Sequence, residues 1–371
     1  MNPPSRAVQP LFLQAIALLR QGQFEAAEAA FLRLLKRDPR NADACHLAGF
    51  AVAQLGRLED AVTLLRRAIK INPRHPMAQF DLGKTLLQLD RHQEALVSLE
   101  RAVALDPNSV EAQYNRGVAL LRLKRLDDAV TAFERAISLQ PDFALAHNDL
   151  GRAMSAAGRH TQALAAYQKA LSLEPDSLAY LMNTALALCA TKRHAEALQM
   201  ADNVLQRKPG DEAALVVRAE VLIGLGHAQE ALRIFETVLA RDPHHKGALY
   251  WRTTALLHLG EYDKALWAAE EARAILPQDA VALYNLGFCH AQFNRHDQAL
   301  ACYEEALRLD PDNTDAALVR ALTLLTLGRF AEGWVAYEAR IRVPDVFIKR
   351  NYPKPLWLGQ ETLKDKRLFV Y

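Results

Sequence analysis

Residues 110–143 read VEAQYNRGVALLRLKRLDDAVTAFERAISLQPDF, and the proline near the end of this stretch decides the fold. It is one of nine prolines in register at a spacing of 34 residues: Pro39, Pro73, Pro107, Pro141, Pro175, Pro209, Pro243, Pro277 and Pro311. A fixed period of this size, with Pro closing each unit, predicts stacked helix–turn–helix hairpins. Such an array builds a surface for holding another molecule and supplies no chemistry of its own.

With each unit ending two residues past its proline, ten units run from residue 8 to residue 347. Position 20 is Ala from Ala27 to Ala299 and Gly333 in the last unit. Position 8 is also small, as at Gly49, Gly83, Gly117, Gly151 and Gly287. Both predict the point where the two helices of a hairpin cross at short range. Position 24 is mostly large (Phe31, Leu65, Leu99, Phe133, Tyr167, Phe235, Tyr303, Tyr337) and fills the groove left by the small residues. Position 15, with Gly22, Gly56, Gly158, Gly226, Gly260 and Gly328 and with Asp90 and Asn294 among the substitutes, suits the left-handed residue that ends a helix. Pro then stops the second helix and pushes its predecessor out of the α region.

The small–small–aromatic–proline frame, as in Gly117, Ala129, Phe133 and Pro141, resembles the tetratricopeptide repeat (TPR) family. It departs at position 4, often Trp in that family and never Trp here. The resemblance implies an all-α fold: a right-handed superhelix of about ten helix–turn–helix repeats with a short extended C-terminal tail. The expected organisation is an N-terminal tail at 1–7, the repeat array at 8–347 and a tail at 348–371.

Composition excludes several function classes. Net charge is only +2, so no global field favours nucleic acid. No apolar run is long enough to insert in a membrane. Leu11–Leu19 could pass for a signal-peptide core, but it is in register with the other first helices and reads as one of them. Cys45, Cys189, Cys289 and Cys302 have no CxxC spacing, so neither metal nor redox chemistry is expected. Cys289 and Cys302 fall on the two helices of one repeat, which leaves a disulfide open; free thiols in a reducing cytoplasm are the expected state. No phosphate loop or hydrolase motif is present, and His244 and His245 read as solvated turn residues. No catalytic residue, cofactor or metal is expected.

In the TPR family the ligand face is lined by positions 2, 5, 6, 9 and 13 of the first helix. Position 6 carries Asp81, Asn115, Asp149, Asn183, Trp251 and Asn285; position 5 carries Phe80, Tyr114, Asn148, Tyr250 and Tyr284; position 9 adds Lys84 and Arg152. Amides at one repeat spacing can hydrogen-bond the backbone of an extended peptide, and aromatics add rigid contact area. This resembles the asparagine ladder of O-linked N-acetylglucosamine transferases. The alternative is that these residues bond to neighbouring repeats. The row is interrupted by Leu13, Leu47, Val217 and Val319. The expected partner is a protein or extended peptide.

The tail differs in character. Residues 340–371 carry net +5, leaving −3 for the rest, and Leu368–Tyr371 reads as a buried strand. Gly333, Trp334, Tyr337, Glu338 and Arg340, followed by Pro355, Trp357, Gly359, Lys366, Leu368 and Val370, resemble the junction in bacterial TPR–glycosyltransferase proteins. That resemblance implies a substrate-recognition arm ahead of a catalytic domain absent from this sequence. An irregular cap folding back onto repeat ten, or a homo-oligomer contact through the tail, are the alternatives.

Overall fold

A computed structural model describes residues 9–338, and the described residues contain twenty α-helices and no strand. The chain divides into two compact units, Met1–His227 and Ala228–Tyr371. The first holds α1 (Gln9–Arg20), α2 (Phe24–Arg37), α3 (Ala42–Gln54), α4 (Leu58–Ile71), α5 (Pro76–Gln88), α6 (His92–Leu105), α7 (Val110–Arg122), α8 (Leu126–Leu139), α9 (Ala144–Ala156), α10 (His160–Leu173), α11 (Leu178–Ala190), α12 (His194–Arg207) and α13 (Glu212–Gly224). The second holds α14 (Ala228–Arg241), α15 (Lys246–His258), α16 (Tyr262–Ile275), α17 (Ala280–Gln292), α18 (His296–Leu309), α19 (Thr314–Thr326) and α20 (Phe330–Tyr337). Odd-numbered helices are the first of each repeat and even-numbered the second, and repeat seven contributes one helix to each unit. The N-terminal tail, the end of repeat ten and the C-terminal tail with its expected strand lie outside the described residues.

The punctuation acts as its chemistry requires. Residues before the prolines leave the helical region; Asp38 has φ −131° and ψ 79°, and Asp106 has φ −139° and ψ 89°. Most first helices open on capping side chains: Asn41 Oδ1 accepts from the Ala44 N–H at 2.9 Å, and Ser109 Oγ from that of Ala112 at 3.2 Å, whereas α9 opens on Phe143 without one. His75 and His245 cap through Nδ1, each accepting an N–H at 3.2 Å. His245 is therefore a helix cap rather than a solvated turn residue. First helices end in a Schellman turn, as where the Arg125 N–H reaches back to the Leu120 carbonyl at 2.9 Å.

Position 15 takes positive φ in all ten repeats, and two of its occupants are lysines: Lys124 at 59° and Lys192 at 60°. The backbone turn is thus imposed by its neighbours even where the side chain disfavours it.

The crossing is as tight as the small residues suggest. A Cβ on Gly117 would lie 2.6 Å from Phe133 Cε1, and one on Gly83 2.5 Å from Leu99 Cγ. Ala129 and Phe133 are both fully buried. Repeats with Ala at position 24 compensate at position 8: Ala201 pairs with Ala185 in one core cluster, and Ala269 occurs with the buried Thr253.

Within each unit, first helices of successive repeats approach one another, as α5 approaches α3 and α7, and α15 approaches α17. Among the described residues, no pair of second helices comes as close. The first-helix side is therefore the inner side of each stack.

Candidate functional site

In the first unit, the expected ligand residues sort by what they touch. Those at position 5 of one repeat and position 6 of the next stand 35 residues apart and bond to each other. His46 Nε2 and Asp81 Oδ2 are 2.6 Å apart, the Tyr114 hydroxyl donates to Asp149 Oδ2 at 2.7 Å, and Asn183 Nδ2 donates to Asn148 Oδ1 at 2.7 Å. Asp81, Asn148 and Asp149 are buried. Asp149 also accepts from Asn148 Nδ2 at 3.2 Å and from Arg152 Nη1 at 3.0 Å. The carboxylate is thus satisfied by three donors. Burial and then the Asp149 charge push the Tyr114 phenol far above its ordinary range, so it stays a donor.

The diagonal matches polarity with polarity. Where position 5 is apolar, its partner at position 6 is apolar too: Phe12 and Leu47 share one core cluster, and Met182 packs with Val217. Asn115 breaks the rule, because its diagonal partner is Phe80. Its Nδ2 turns back onto the Glu111 carbonyl of its own helix at 2.7 Å. Phe80 and Tyr114 lean on the hydrophobic core, and Tyr114 also meets Phe143 with ring centroids 5.0 Å apart.

Lys84 is exposed, and the Arg152 side chain is 48% exposed beyond its bond to Asp149. Around them the inner face leaves apolar side chains in water: Met77 at 51%, Leu145 at 41% and Leu186 at 45%.

In the second unit, Asn285 Nδ2 donates to the Tyr250 carbonyl at 3.5 Å, again across 35 residues. The Tyr250 hydroxyl is hydrogen-bonded to Asp279; burial raises that carboxyl, but the bonds from Tyr250 and from the Ala282 and Val281 N–H groups outweigh it and hold it low. Tyr284 lies against Tyr303 and Phe288, with centroids 6.3 and 6.4 Å away. Trp251 is half-buried. A cavity of about 190 Å³ opens beside them, walled by Phe288, His296, Tyr303, Val319, Leu322 and Thr326.

The structure therefore brings Tyr114, Asn148, Asp149, Arg152 and Asn183 into one network and leaves Lys84 and Asn115 outside it. Sequence reasoning missed His46. Its signal was present, since a histidine 35 residues before an aspartate fits the same diagonal. All four cysteines are free, and burial pushes the Cys189 and Cys289 thiols up to about 12. Among the described residues, no helix is long and apolar enough to cross a membrane.

Family profiles described as tetratricopeptide repeat match residues 12–76, 46–109, 80–144, 148–212, 216–280 and 280–313. No curated protein matches the chain. Among solved structures, a tetratricopeptide repeat protein from Parabacteroides merdae ATCC 43184 is 17% identical, with 67% of this chain and 98% of that one covered at a TM-score of 0.56. PilW, described as a widely conserved type IV pilus biogenesis factor, is 21% identical over 58% of this chain and 99% of its own, with a TM-score of 0.52. Both show the fold alone. MamA from Desulfovibrio magneticus RS-1 is 27% identical over 47% of this chain and 99% of that one, with a TM-score of 0.44.

Proposed function

The chain belongs to the tetratricopeptide repeat family, and from that premise we propose that it is a non-catalytic scaffold that holds an extended protein segment on the first-helix side of its repeats. One observation carries this reading. Along the inner face of the first unit, exposed apolar side chains (Met77, Leu145, Leu186) alternate with polar groups left over from the inter-repeat network (Lys84, Asn115, part of Arg152). A surface that mixes unburied apolar area with uncommitted donors is suited to a peptide backbone and its side chains. The committed pairs, such as Tyr114–Asp149, hold the repeats that present it.

The test is site-specific crosslinking. A photoreactive residue at Leu145 should capture the partner, and one at Val97, on the second-helix side, should not. Asn115→Ala with Lys84→Glu should weaken the captured complex about tenfold if each contact is worth about 0.5–1.5 kcal/mol. Capture from Val97 alone would move the site to the outer surface.

A second reading, the recognition arm of a glycosyltransferase, is favoured by the exposure of Trp334 within the resembling junction. Most of that junction lies outside the described residues. Reading the intact gene beyond Tyr371 into a nucleotide-sugar-binding domain is its test.

A further inference from the structure

In the second unit, α17, α18 and α19 wall the cavity of about 190 Å³. It lies on the first-helix side, because Phe288 and Leu322 in its wall stand at position 9 of their repeats and Thr326 at position 13. Most of the wall is apolar. The Thr323 and Thr326 hydroxyls are committed within their own helix, donating to the Val319 and Leu322 carbonyls at 2.8 and 2.9 Å. Two other polar groups of the wall are not committed. Among the described residues the His296 imidazole has no hydrogen-bond partner, and its Nδ1 is buried. Tyr303 is 1% exposed, and its hydroxyl likewise has no hydrogen-bond partner among the described residues. Burial raises this phenol, so the hydroxyl keeps its proton. The two residues stand seven apart on α18 and so share one face, two turns from each other.

The imidazole alone marks nothing, since His92, His160 and His194 occupy the same position 17 with Nδ1 equally bare. In repeat six the His194 ring fills the space over Gly224, where a Cβ would lie 2.7 Å from its Cε1. At His296 the corresponding residue of the next repeat is Thr326, and the volume beside it is open. An apolar hollow with a few uncommitted polar groups in its wall has the build of a small-ligand site. About 150 Å³ suffices for benzene, so this volume takes one aromatic ring with a short substituent. No Asp, Glu, Lys or Arg lines it, which selects a neutral ring. A phenol hydroxyl both donates and accepts, so it suits an imidazole and a tyrosine hydroxyl alike. We propose that this cavity binds a single neutral phenol ring, with the ring against Phe288, Val319 and Leu322 and its hydroxyl on the His296–Tyr303 side. The ring comes from a free phenol or from a tyrosine side chain of another protein.

p-Cresol and toluene differ by the hydroxyl alone, and methyl NMR titrations of the full chain with each test this. p-Cresol should shift the Val319 and Leu322 methyl signals saturably and bind about tenfold more tightly than toluene. Tyr303→Phe and His296→Leu should each cut that preference by about threefold or more. Both variants keep the repeat frame, since Phe133 and Leu126 hold the same two positions in repeat four. A capped pentapeptide with a central tyrosine separates the sources. Binding at least as tight as that of p-cresol assigns the cavity to a tyrosine side chain, and weaker binding assigns it to a free phenol. Equal affinity for p-cresol and toluene would overturn the proposal, and so would a preference that both variants leave intact. Shifts confined to methyl groups outside repeats nine and ten would refute it as well.

Discussion

Lys124 and Lys192 hold left-handed backbone that glycine adopts freely, and the same turn in six other repeats is built on Gly. Lys124→Gly and Lys192→Gly are each expected to raise stability by about 1 kcal/mol, measured by urea unfolding. A loss would mean that the lysine side chains contribute more than the turn costs. A second comparison separates the two classes of inner-face residue. Tyr114→Phe leaves the buried Asp149 carboxylate without one of its donors and should cost about 1–3 kcal/mol. Asn115→Ala removes only a bond within its own helix, so it should leave the melting temperature nearly unchanged and act on binding alone. The columns of the repeat were legible because the eye compares equal positions: the prolines, Ala129, Gly117. The pairs were not, because they run diagonally, from position 5 to position 6 of the next unit. The two lysines were hidden for another reason, since nothing about Lys announces positive φ.

Among the helices, α5 couples its start to protonation. His75 caps it through Nδ1, which must be unprotonated to accept the Ala78 N–H, while Nε2 donates to Asp43 at 3.0 Å. Burial first, then the adjacent His46, hold the His75 pKa below the ordinary 6.5. The unfolded chain therefore binds this proton at a higher pH than the folded one. The stability is complete above about 6.5 and is lost as pH falls through the lower folded value. His75→Asn keeps a side-chain cap, as Asn41 and Asn313 do elsewhere, and removes that slope; the urea midpoint at pH 7.5 relative to that at pH 5 should be lower in the variant than in the parent chain. Glu220 on α13 works in the opposite sense. Burial pushes its carboxyl up to about 7, so the folded state holds the proton more tightly, and stability falls as pH rises from about 4.5 through 7. Glu220→Gln should therefore gain about 1–3 kcal/mol at pH 8 and nothing at pH 4. A gain of equal size at both pH values would exclude a titration effect. The turn at position 15 and the stop at each proline were legible because Gly, Asn and Pro are local signals. The choice of His as a cap was not, since its role depends on which ring nitrogen faces the helix.

Among the described residues of each unit, the main contacts of a repeat are with the repeats before and after it. Disturbance should therefore stay local. Ala129→Leu should overpack the crossing in repeat four at a cost of about 1–3 kcal/mol, and hydrogen exchange should quicken in α5 to α10 and not in α18. Uniform acceleration would show that the array unfolds as one body. The architecture was legible from the period, whereas the partner was not, because an inner face that binds and one that only packs use the same amides and aromatics. The matched diagonal has a further consequence: it sets a grammar for rearranging the gene. Excising residues 110–143 would splice Phe80 onto Asp149 and strand a carboxylate against a benzene ring. Excising 76–143 would instead bring His46 to Asp149, an imidazole–carboxylate pair like the one that His46 already makes with Asp81. The longer deletion should be the better tolerated of the two, so a family that evolves by duplicating and losing units is free to do so only in multiples that keep neighbours compatible.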